Sequence, residues 1–489
     1  MKFLELLKNN KLNFLLIYLI YFILLFTLWI KREFGGHIHY VEIIFNFYIN
    51  YEGIKNSPSS LKNNFFLYVL NLSLFLTILS IFVFEKFKIK KILIKLIQNK
   101  SIKKLINLFF LNTKAFLLYS VIFFLIQFKF HYFLIPYIQI FENEIDKNLY
   151  VDPKTIIYQK PKKLKNLILI YVESLEYDVQ KLENYINENP LEKINQIKGE
   201  NIYNFKETPS IQISIAGLVA SQCAVPFHPS VSINLNNHKI KNLYCLSDVL
   251  NNFNYKQYYF MTVNKSFQRT DFFKENHHIK IIDDNEIRKK YPNEKLGWGN
   301  GVHDEVMLNY AKEKILKLHE EKKHFNVIIK TTDTHPPYQK ISSKCQIKNE
   351  MNIRKRAALS FKCISIEINN FLNELSYSGV LDNTVVVIMG DHLLHPFYND
   401  KKIIDAPRKN RNIYYKMSSN NNFERSKMNH FDVTPTILDE LGFLNTFDKR
   451  FAFGVSLFNS NKLFNYNNHY NSVMSKKILN DYYLNQTLN

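Results

Sequence analysis

Three long apolar stretches dominate the first 130 residues of the chain. They run from Leu12 to Ile30, from Phe65 to Phe84 and from Leu105 to Phe128, and each approaches the roughly 20 residues that a helix needs to cross a bilayer. The first stretch lacks the small-residue cleavage site of a removable signal peptide, which favours a retained anchor. Lys114 lies inside the third stretch, where its side chain must reach an interface or face a partner helix. The pattern predicts a transmembrane region over residues 1–130 with about three helices.

Lysines are unevenly distributed around these stretches. Lys2, Lys8 and Lys11 precede the first stretch, and eight lysines crowd residues 85–104, between the second and the third. Positively charged segments stay on the cytoplasmic side of a membrane. Three crossings then place everything after about Phe130 on the outer side. The sequence therefore predicts a multi-pass protein of the inner membrane whose main domain faces the periplasm.

The hydrophobic pattern changes between Gln159 and about Phe458. Short apolar runs alternate there with helical and turn-rich segments, which indicates an α/β domain. Runs such as "NLILIYV" and "NTVVVIM" are apolar at nearly every position, as in strands of a parallel sheet that is buried on both faces. We expect a largely parallel central sheet flanked by helices over residues 159–458. A linker or interfacial helix is expected over 131–158, and a polar tail, flexible or covering the domain, over 459–489.

Charge and cysteine content narrow the classes of protein that fit. Lys and Arg number 64 against 43 Asp and Glu, a net charge of +21, but no basic-aromatic motif accompanies this charge, so we expect no nucleic-acid partner. The four cysteines lie in the predicted external domain, where disulfides persist. Three pairings are possible, and buried free thiols are the alternative. Joining nearest neighbours closes the shortest loops and is favoured: Cys223 with Cys245 and Cys345 with Cys363.

Polar side chains follow three of the apolar runs. Glu173 follows "NLILIYV", Asp333 and His335 follow "HFNVIIKTT", and Asp391 and His392 follow "NTVVVIMG". Ligands of such sheets bind beyond the carboxyl ends of the strands. Glu173, Asp391 and His392 together form a carboxylate and imidazole set that suits a borderline divalent cation such as zinc or manganese.

Ser214 is a candidate for a fourth ligand of this cation. It lies between two isoleucines at the start of the predicted short helix "SIAGLVASQC", where the helix dipole and the free backbone amides favour an anion. A hydroxyl that loses its proton on binding would complete a tetrahedral site. The alternative is an ordinary N-cap serine, which is common at helix starts.

These segments resemble the alkaline phosphatase and sulfatase superfamily. Within it they are most similar to the membrane-bound phosphoglycerol transferases of the periplasmic glucan type, which are related to lipoteichoic acid synthase and to phosphoethanolamine transferases. The resemblance covers most of residues 160–445, in the family's order, and rests on "IYVESLEYD", "ETPSIQISIAGLVASQCAVPF", "GWGNGVHDEV", "TTDTHPPY", "MGDHLLHPF" and "HFDVTPTILDELG".

The resemblance implies a metal-dependent catalytic centre. Glu173, Asp391 and His392 would hold Mn²⁺ or Zn²⁺, and Ser214 would take the place of the family's nucleophilic threonine. Other residues would face the phosphoryl group, its entering and leaving oxygens or the headgroup, namely His335, His430, Trp298 and Asp304. The cysteine positions also resemble the two disulfides of this branch, in the nearest-neighbour pairing.

The activity implied is transfer of phosphoglycerol from phosphatidylglycerol to an envelope glycan through a covalent Ser214 intermediate. One departure leaves the donor open, because "SIQIS" has no glycine and ends in serine where the glucan-type enzymes approach a threonine through a glycine. Phosphoethanolamine transfer to lipid A, core sugar or another glycan is the alternative. Sulfatase activity proper is disfavoured, because the segment after Ser221 lacks the pattern for formylglycine formation. A non-catalytic envelope scaffold would predict a lost metal ligand, and none is missing.

Overall fold

The structure, a computed structural model, describes residues 11–34, 65–86 and 113–127 and most of 149–474. Within that last range it leaves out 209–210, 212, 228–242, 266, 268–272, 274–276, 337–338, 343–344, 346–351, 395–402, 420, 445 and 462–463. The described residues fall into two compact units, one N-terminal and one C-terminal. The start of the third predicted span (105–112), most of the predicted linker (131–148) and the end of the predicted tail (475–489) lie outside the described residues.

The N-terminal unit contains helices at the positions of the apolar stretches. They are α1 (Lys11–Phe34), a π-helical turn (Phe65–Asn71) that continues into α2 (Leu72–Lys86), and α3 (Thr113–Gln127). Aromatic rings join them, since Trp29 contacts Phe65 at 5.1 Å and Phe26 contacts Phe124 at 6.2 Å between ring centroids. Within the ranges that the structure describes, no helix combines the length and the apolar content needed to cross a bilayer. The three spans stay a prediction.

The C-terminal unit is built on a seven-stranded sheet in the order β2-β8-β7-β1-β6-β4-β5. Strands β7, β1, β6, β4 and β5 run parallel, and β8 and β2 continue the sheet antiparallel at one edge. The strands are β1 (Asn166–Val172), β2 (Glu200–Asn201), β3 (Asn204–Phe205), β4 (Lys256–Met261), β5 (Lys280–Ile282), β6 (Phe325–Lys330), β7 (Thr384–Gly390), β8 (Tyr415–Met417), β9 (Lys427–Met428), β10 (Arg450–Phe451) and β11 (Gly454–Val455). Strands β3 with β9 and β10 with β11 form two small separate sheets.

Helices cover both faces of the large sheet. They are α4 (Glu192–Gln196), α5 (Ser214–Cys223), α6 (Leu246–Asn251), α7 (Asp284–Lys290), α8 (Asp304–Glu320), α9 (Ile353–Tyr377), α10 (Val433–Glu440) and α11 (Tyr466–Val473). Short 3₁₀ turns connect the elements at Pro153–Thr155, Tyr177–Tyr185, Trp298–Asn300, Val380–Asn383, Arg408–Asn410 and His430–Asp432.

Strand β1 shows why its sequence is apolar at nearly every position. All seven of its residues are buried. Leu167, Leu169 and Tyr171 pack in the layer of α5, α6 and α10, whereas Ile168 and Ile170 pack in the layer of α8 and α9. Successive side chains of a strand point to opposite faces, and burying each of these aliphatic side chains contributes about 1.5–3 kcal/mol. The expected α/β domain with a mostly parallel sheet flanked by helices is confirmed.

The predicted polar tail contains α11. His469, Tyr470 and Val473 of this helix are buried, and Val473 belongs to the same apolar cluster as α5 and α10. Of the two forms considered for the tail, residues 466–473 take the one that covers the domain.

Candidate active site

The neighbouring strands β7, β1 and β6 end side by side, and the residues after β1 and β7 form a buried cluster. Glu173, Asp391 and His392 each offer one ligand atom, and these three atoms lie within 4.8 Å of one another. His392 Nε2 is 3.4 Å from Glu173 Oε1 and 3.5 Å from Asp391 Oδ2. Because parallel strands present their carboxyl ends at one edge, residues more than 200 positions apart in the sequence meet here.

Backbone and hydroxyl groups orient these side chains. Ser174, whose positive φ of 59° is unusual for a residue other than glycine, donates from its Oγ to Glu173 Oε1 and from its N–H to Asp391 Oδ1, both at 2.8 Å. His392 Nδ1 lies 3.0 Å from the Leu393 carbonyl. A carbonyl only accepts, so Nδ1 carries the proton and Nε2 keeps its lone pair toward the carboxylates, as in a histidine ready to bind a metal.

Ser214 joins this cluster from the first turn of α5. Its Oγ donates to Glu173 Oε2 at 3.1 Å, and the side chain is buried. The N-cap position of α5 belongs to Ile213, and no side chain caps the helix. Ser214 is therefore not the ordinary N-cap serine of the alternative interpretation.

Gly217 allows α5 to approach the end of β7. A Cβ atom added at Gly217 would lie 2.1 Å from the backbone oxygen of Asp391, far closer than two such atoms tolerate. Gly217 lies one turn after Ser214, on the same side of the helix. The glycine thus brings the Ser214 turn against the backbone that carries the Asp391 side chain.

Lys330, the last residue of β6, is a site residue that the sequence analysis missed. Its Nζ is 2.6 Å from Glu173 Oε2 and 2.9 Å from Asp391 Oδ2. Burial alone would raise the pKa of Glu173, but the charge and the hydrogen bond of Lys330 outweigh burial and hold that pKa well below its usual range. The sequence signal that could have identified Lys330 is its position as the last residue of the buried strand "FNVIIK".

The residues present fit a divalent cation. Asp391 Oδ2 is buried without a hydrogen bond of acceptable geometry, although it forms an ion pair with Lys330. Two carboxylates, one imidazole nitrogen and one hydroxyl are a donor set that suits Zn²⁺ or Mn²⁺. Glu173, Asp391, His392 and Ser214 can hold such an ion.

His335 lies beside the cluster, stacked on Trp298 with ring centroids 3.9 Å apart. Its Nδ1 is 2.5 Å from the Pro336 carbonyl and so carries the proton, which leaves Nε2 as an acceptor. Burial lowers the pKa of His335, although Glu173 opposes that shift. A neutral imidazole with a free acceptor nitrogen can take a proton from a hydroxyl group.

His430 makes contacts of a different kind. It is fully buried, its Nε2 is 3.0 Å from the Asp391 carbonyl, and its Nδ1 is 3.2 Å from Thr208 Oγ1. Both ring nitrogens are therefore engaged by this chain, and burial lowers the pKa of His430 to about 3. The ring thus holds the backbone of Asp391 next to the carboxylate and imidazole cluster.

Asp304 makes its contacts with a neighbouring loop. It is fully buried, and its two carboxylate oxygens accept the N–H groups of Thr332 at 2.8 Å and Asp333 at 3.0 Å. Asp333 in turn accepts from Trp298 N at 3.2 Å and lies 2.7 Å from Nδ1 of His303. Asp304 thus fixes the loop that carries His335, and Asp333 of that loop connects it to Trp298.

Both expected disulfides are present. Cys223, the last residue of α5, is bonded to Cys245, which precedes α6, and Cys345 is bonded to Cys363 in α9. The first disulfide fixes the far end of the helix that begins with Ser214. The described residues contain no free cysteine.

Comparison with known proteins gives both sequence and fold relatives. The profile of the family described as Sulfatase matches residues 165–443. Phosphoglycerol transferase I of Escherichia fergusonii is 29% identical over 312 residues, and that of Salmonella arizonae 28% over 313; each match covers 60% of this chain and 40% of the relative. The chain thus spans about two-fifths of the length of these curated relatives.

A solved structure shares the fold. It is the integral membrane protein lipooligosaccharide phosphoethanolamine transferase A (EptA) from Neisseria meningitidis, with a TM-score of 0.54, 11% identity and coverage of 88% of this chain and 84% of that one. The family match includes the ends of β1, β6 and β7 with Glu173, Lys330, Asp391 and His392, as well as Ser214. Because this match covers more than half of the 489 residues, the chain belongs to the Sulfatase family.

Proposed function

We propose that this chain transfers a phosphoglycerol headgroup from phosphatidylglycerol to an envelope glycan, through a covalent intermediate on Ser214. The observation that carries the proposal is the contact of Ser214 Oγ with Glu173 Oε2 inside a buried carboxylate and imidazole cluster. The relatives named phosphoglycerol transferase I support the choice of headgroup.

The first step forms a bond between Ser214 Oγ and the phosphorus of the lipid. The bond from phosphorus to the diacylglycerol oxygen breaks, diacylglycerol leaves as the alcohol after taking a proton, and phosphoglycerol stays on Ser214. A bound Mn²⁺ or Zn²⁺ would lower the pKa of the Ser214 hydroxyl and neutralise part of the phosphoryl charge. Glu173 accepts the hydrogen bond of Ser214 and so orients Oγ for attack.

The second step regenerates Ser214. A hydroxyl group of the glycan attacks the same phosphorus, the bond to Ser214 Oγ breaks, and Ser214 regains a proton. We assign proton removal from the glycan hydroxyl to His335, whose Nδ1 bonds to the Pro336 carbonyl and whose Nε2 is an acceptor. The stacked ring of Trp298 holds the imidazole in this orientation.

A lipid donor requires access to a membrane, and the N-terminal unit has suitable surfaces. Leu28 of α1 is 58% exposed, Phe75 of α2 59% and Leu118 of α3 58%. Apolar side chains that stay exposed on neighbouring helices are typical of surfaces that contact lipid or another protein. We propose that this unit anchors the chain in the inner membrane and that the domain with the two disulfides faces the periplasm, where disulfides persist.

Mass spectrometry of the intact protein tests the reaction. The full chain is loaded with Mn²⁺ and incubated with phosphatidylglycerol, and in parallel with phosphatidylethanolamine. We expect an adduct of phosphoglycerol mass on Ser214, absent in Ser214→Ala. Ser221→Ala is the matched control, because Ser221 lies in the same helix but contacts Tyr171.

Each other outcome changes the proposal in a defined way. A phosphoethanolamine adduct on Ser214 would keep the chemistry and replace the donor by the alternative. An adduct that persists in Ser214→Ala would refute the nucleophile. No adduct from either lipid, with metal bound and the fold intact, would favour a non-catalytic scaffold.

A further inference from the structure

The ammonium of Lys330 occupies the space between the two carboxylates of the candidate metal cluster. It contacts Glu173 Oε2 at 2.6 Å and Asp391 Oδ2 at 2.9 Å, and the side chain is only 5% exposed. A third contact, at 3.2 Å, joins Nζ to the carbonyl of Thr331. Three oxygen atoms thus surround a buried cation that belongs to the chain itself.

The remaining oxygens of these carboxylates have other partners. Ser174 Oγ donates to Glu173 Oε1, and Ser174 N donates to Asp391 Oδ1. Asp391 Oδ2 is therefore the oxygen that can serve a metal ligated by His392, whose Nε2 is 3.5 Å away. It is also the oxygen that Lys330 contacts, so an added cation and the ammonium draw on the same atom.

Because both are positively charged, the ammonium and a divalent ion compete for these carboxylates. An ammonium and a divalent ion repel each other, and both are stabilised by the same pair of carboxylates. Without either cation, Glu173 and Asp391 would be two buried negative charges with no opposite charge between them, which strongly destabilises a fold. One cation is needed at this place, and the chain supplies one of its own.

We propose that Lys330 is a positioning residue that acts as an internal cation. It holds Glu173 and Asp391 together before the metal binds, and it competes with the metal for Asp391 Oδ2. Metal binding therefore displaces the ammonium from the carboxylates. This inference rests on the metal site of the proposed function, but on neither its lipid donor nor its glycan acceptor.

The test compares metal affinity and thermal stability of the full chain with and without the charge. In calorimetric titration with MnCl₂, and with ZnCl₂ in parallel, Lys330→Met should bind at least about tenfold more tightly than the wild type, because no competitor must be displaced. Without metal, Lys330→Met should have a Tm several degrees below the wild type. With saturating Mn²⁺ the two proteins should unfold at nearly the same temperature.

Lys416→Met is the matched control. Lys416 is similarly buried, on β8, but among the described residues its Nζ bonds only to the carbonyls of Asn195 and Ile197. Its loss should lower the Tm by the same amount with and without Mn²⁺ and leave the Mn²⁺ affinity unchanged. If Lys330→Met does not fold without metal, Lys330→Gln, whose amide can still donate to one carboxylate, is titrated instead.

Three results would overturn the inference. They are unchanged or weaker metal binding by the Lys330 variants, an equal loss of Tm with and without metal, and failure of both wild type and variants to bind either metal. None of these readouts involves lipid or glycan, so a failed adduct experiment with phosphatidylglycerol would leave a confirmed displacement of Lys330 intact.

Discussion

At the residue scale, two histidines that the sequence places near the site have different chemistry. His335 donates from Nδ1 to the Pro336 carbonyl, and its Nε2 is an acceptor. His430 uses both nitrogens, on Asp391 and Thr208, which lie 39 and 222 positions away in the sequence. The motif around each histidine predicts that it is near the site, but only the tertiary contacts decide which atoms remain available.

The buried state of His430 predicts a pH dependence of stability. An unfolded histidine has a pKa near 6.5, whereas burial lowers the folded pKa of His430 to about 3. Below about pH 6.5 the unfolded chain binds a proton that the folded chain does not, so the free energy of unfolding falls as the pH falls toward 3. Between pH 7 and pH 5 this residue should cost about 2 kcal/mol.

Denaturant unfolding at pH 7 and pH 5 measures this effect. His430→Gln should be less stable than the wild type at pH 7, because it loses ring contacts, but should lose about 2 kcal/mol less on acidification. Other groups titrate in both proteins and cancel in the difference. His319→Gln, at an exposed position of α8, is the control and should keep the wild-type pH dependence. Equal acid sensitivity of wild type and His430→Gln would contradict the prediction.

At the scale of elements, the position of α5 decides whether Ser214 meets the cluster. A methyl group at Gly217 would lie 2.1 Å from the Asp391 backbone oxygen, and no flexible side chain is there to yield. Gly217→Ala should therefore destabilise the domain by about 1–3 kcal/mol, as overpacking does, and shift the helix away from β7. We expect weaker Mn²⁺ binding in calorimetric titration together with the lower stability.

Ala216→Gly provides the matched control in the same helix. It should cost about 2 kcal/mol, through helix propensity and the loss of one buried methyl group, and the Mn²⁺ affinity should stay at the wild-type value. If Gly217→Ala binds Mn²⁺ as tightly as the wild type, the close approach of α5 has no role in assembling the site.

The same scale shows what the sequence could and could not predict. Strands β1, β6 and β7 and the residues at their ends were predictable, because a strand buried on both faces must be apolar throughout and ligands collect at its carboxyl end. The rule that buried strands are apolar could not predict the role of Lys330. Its charge is balanced by two residues that follow other strands. The contacts of Asp304 could not be predicted, because its partners are two N–H groups of another loop and leave no trace in the local sequence.

At the scale of the whole molecule, each of the two units supplies a different requirement of the proposed reaction. The domain gathers its chemistry from segments between Glu173 and His392 at one edge of the sheet. The N-terminal unit carries exposed apolar side chains on each of the three α-helices that the structure describes there. A lipid substrate and a glycan acceptor would account for both features in one chain.

The proposed orientation predicts how the full chain behaves in a Gram-negative host. Three apolar stretches should keep it in the membrane pellet after a carbonate wash, which removes proteins held only by charge. Lysines before the first stretch and in residues 85–104 should hold those segments inside, so protease added to intact spheroplasts should digest the domain that contains Ser214. A cytoplasmic marker protein must survive the same treatment. Release by carbonate, or a domain that is cut only after the spheroplasts are lysed, would refute the topology and with it direct access to lipid on the periplasmic face.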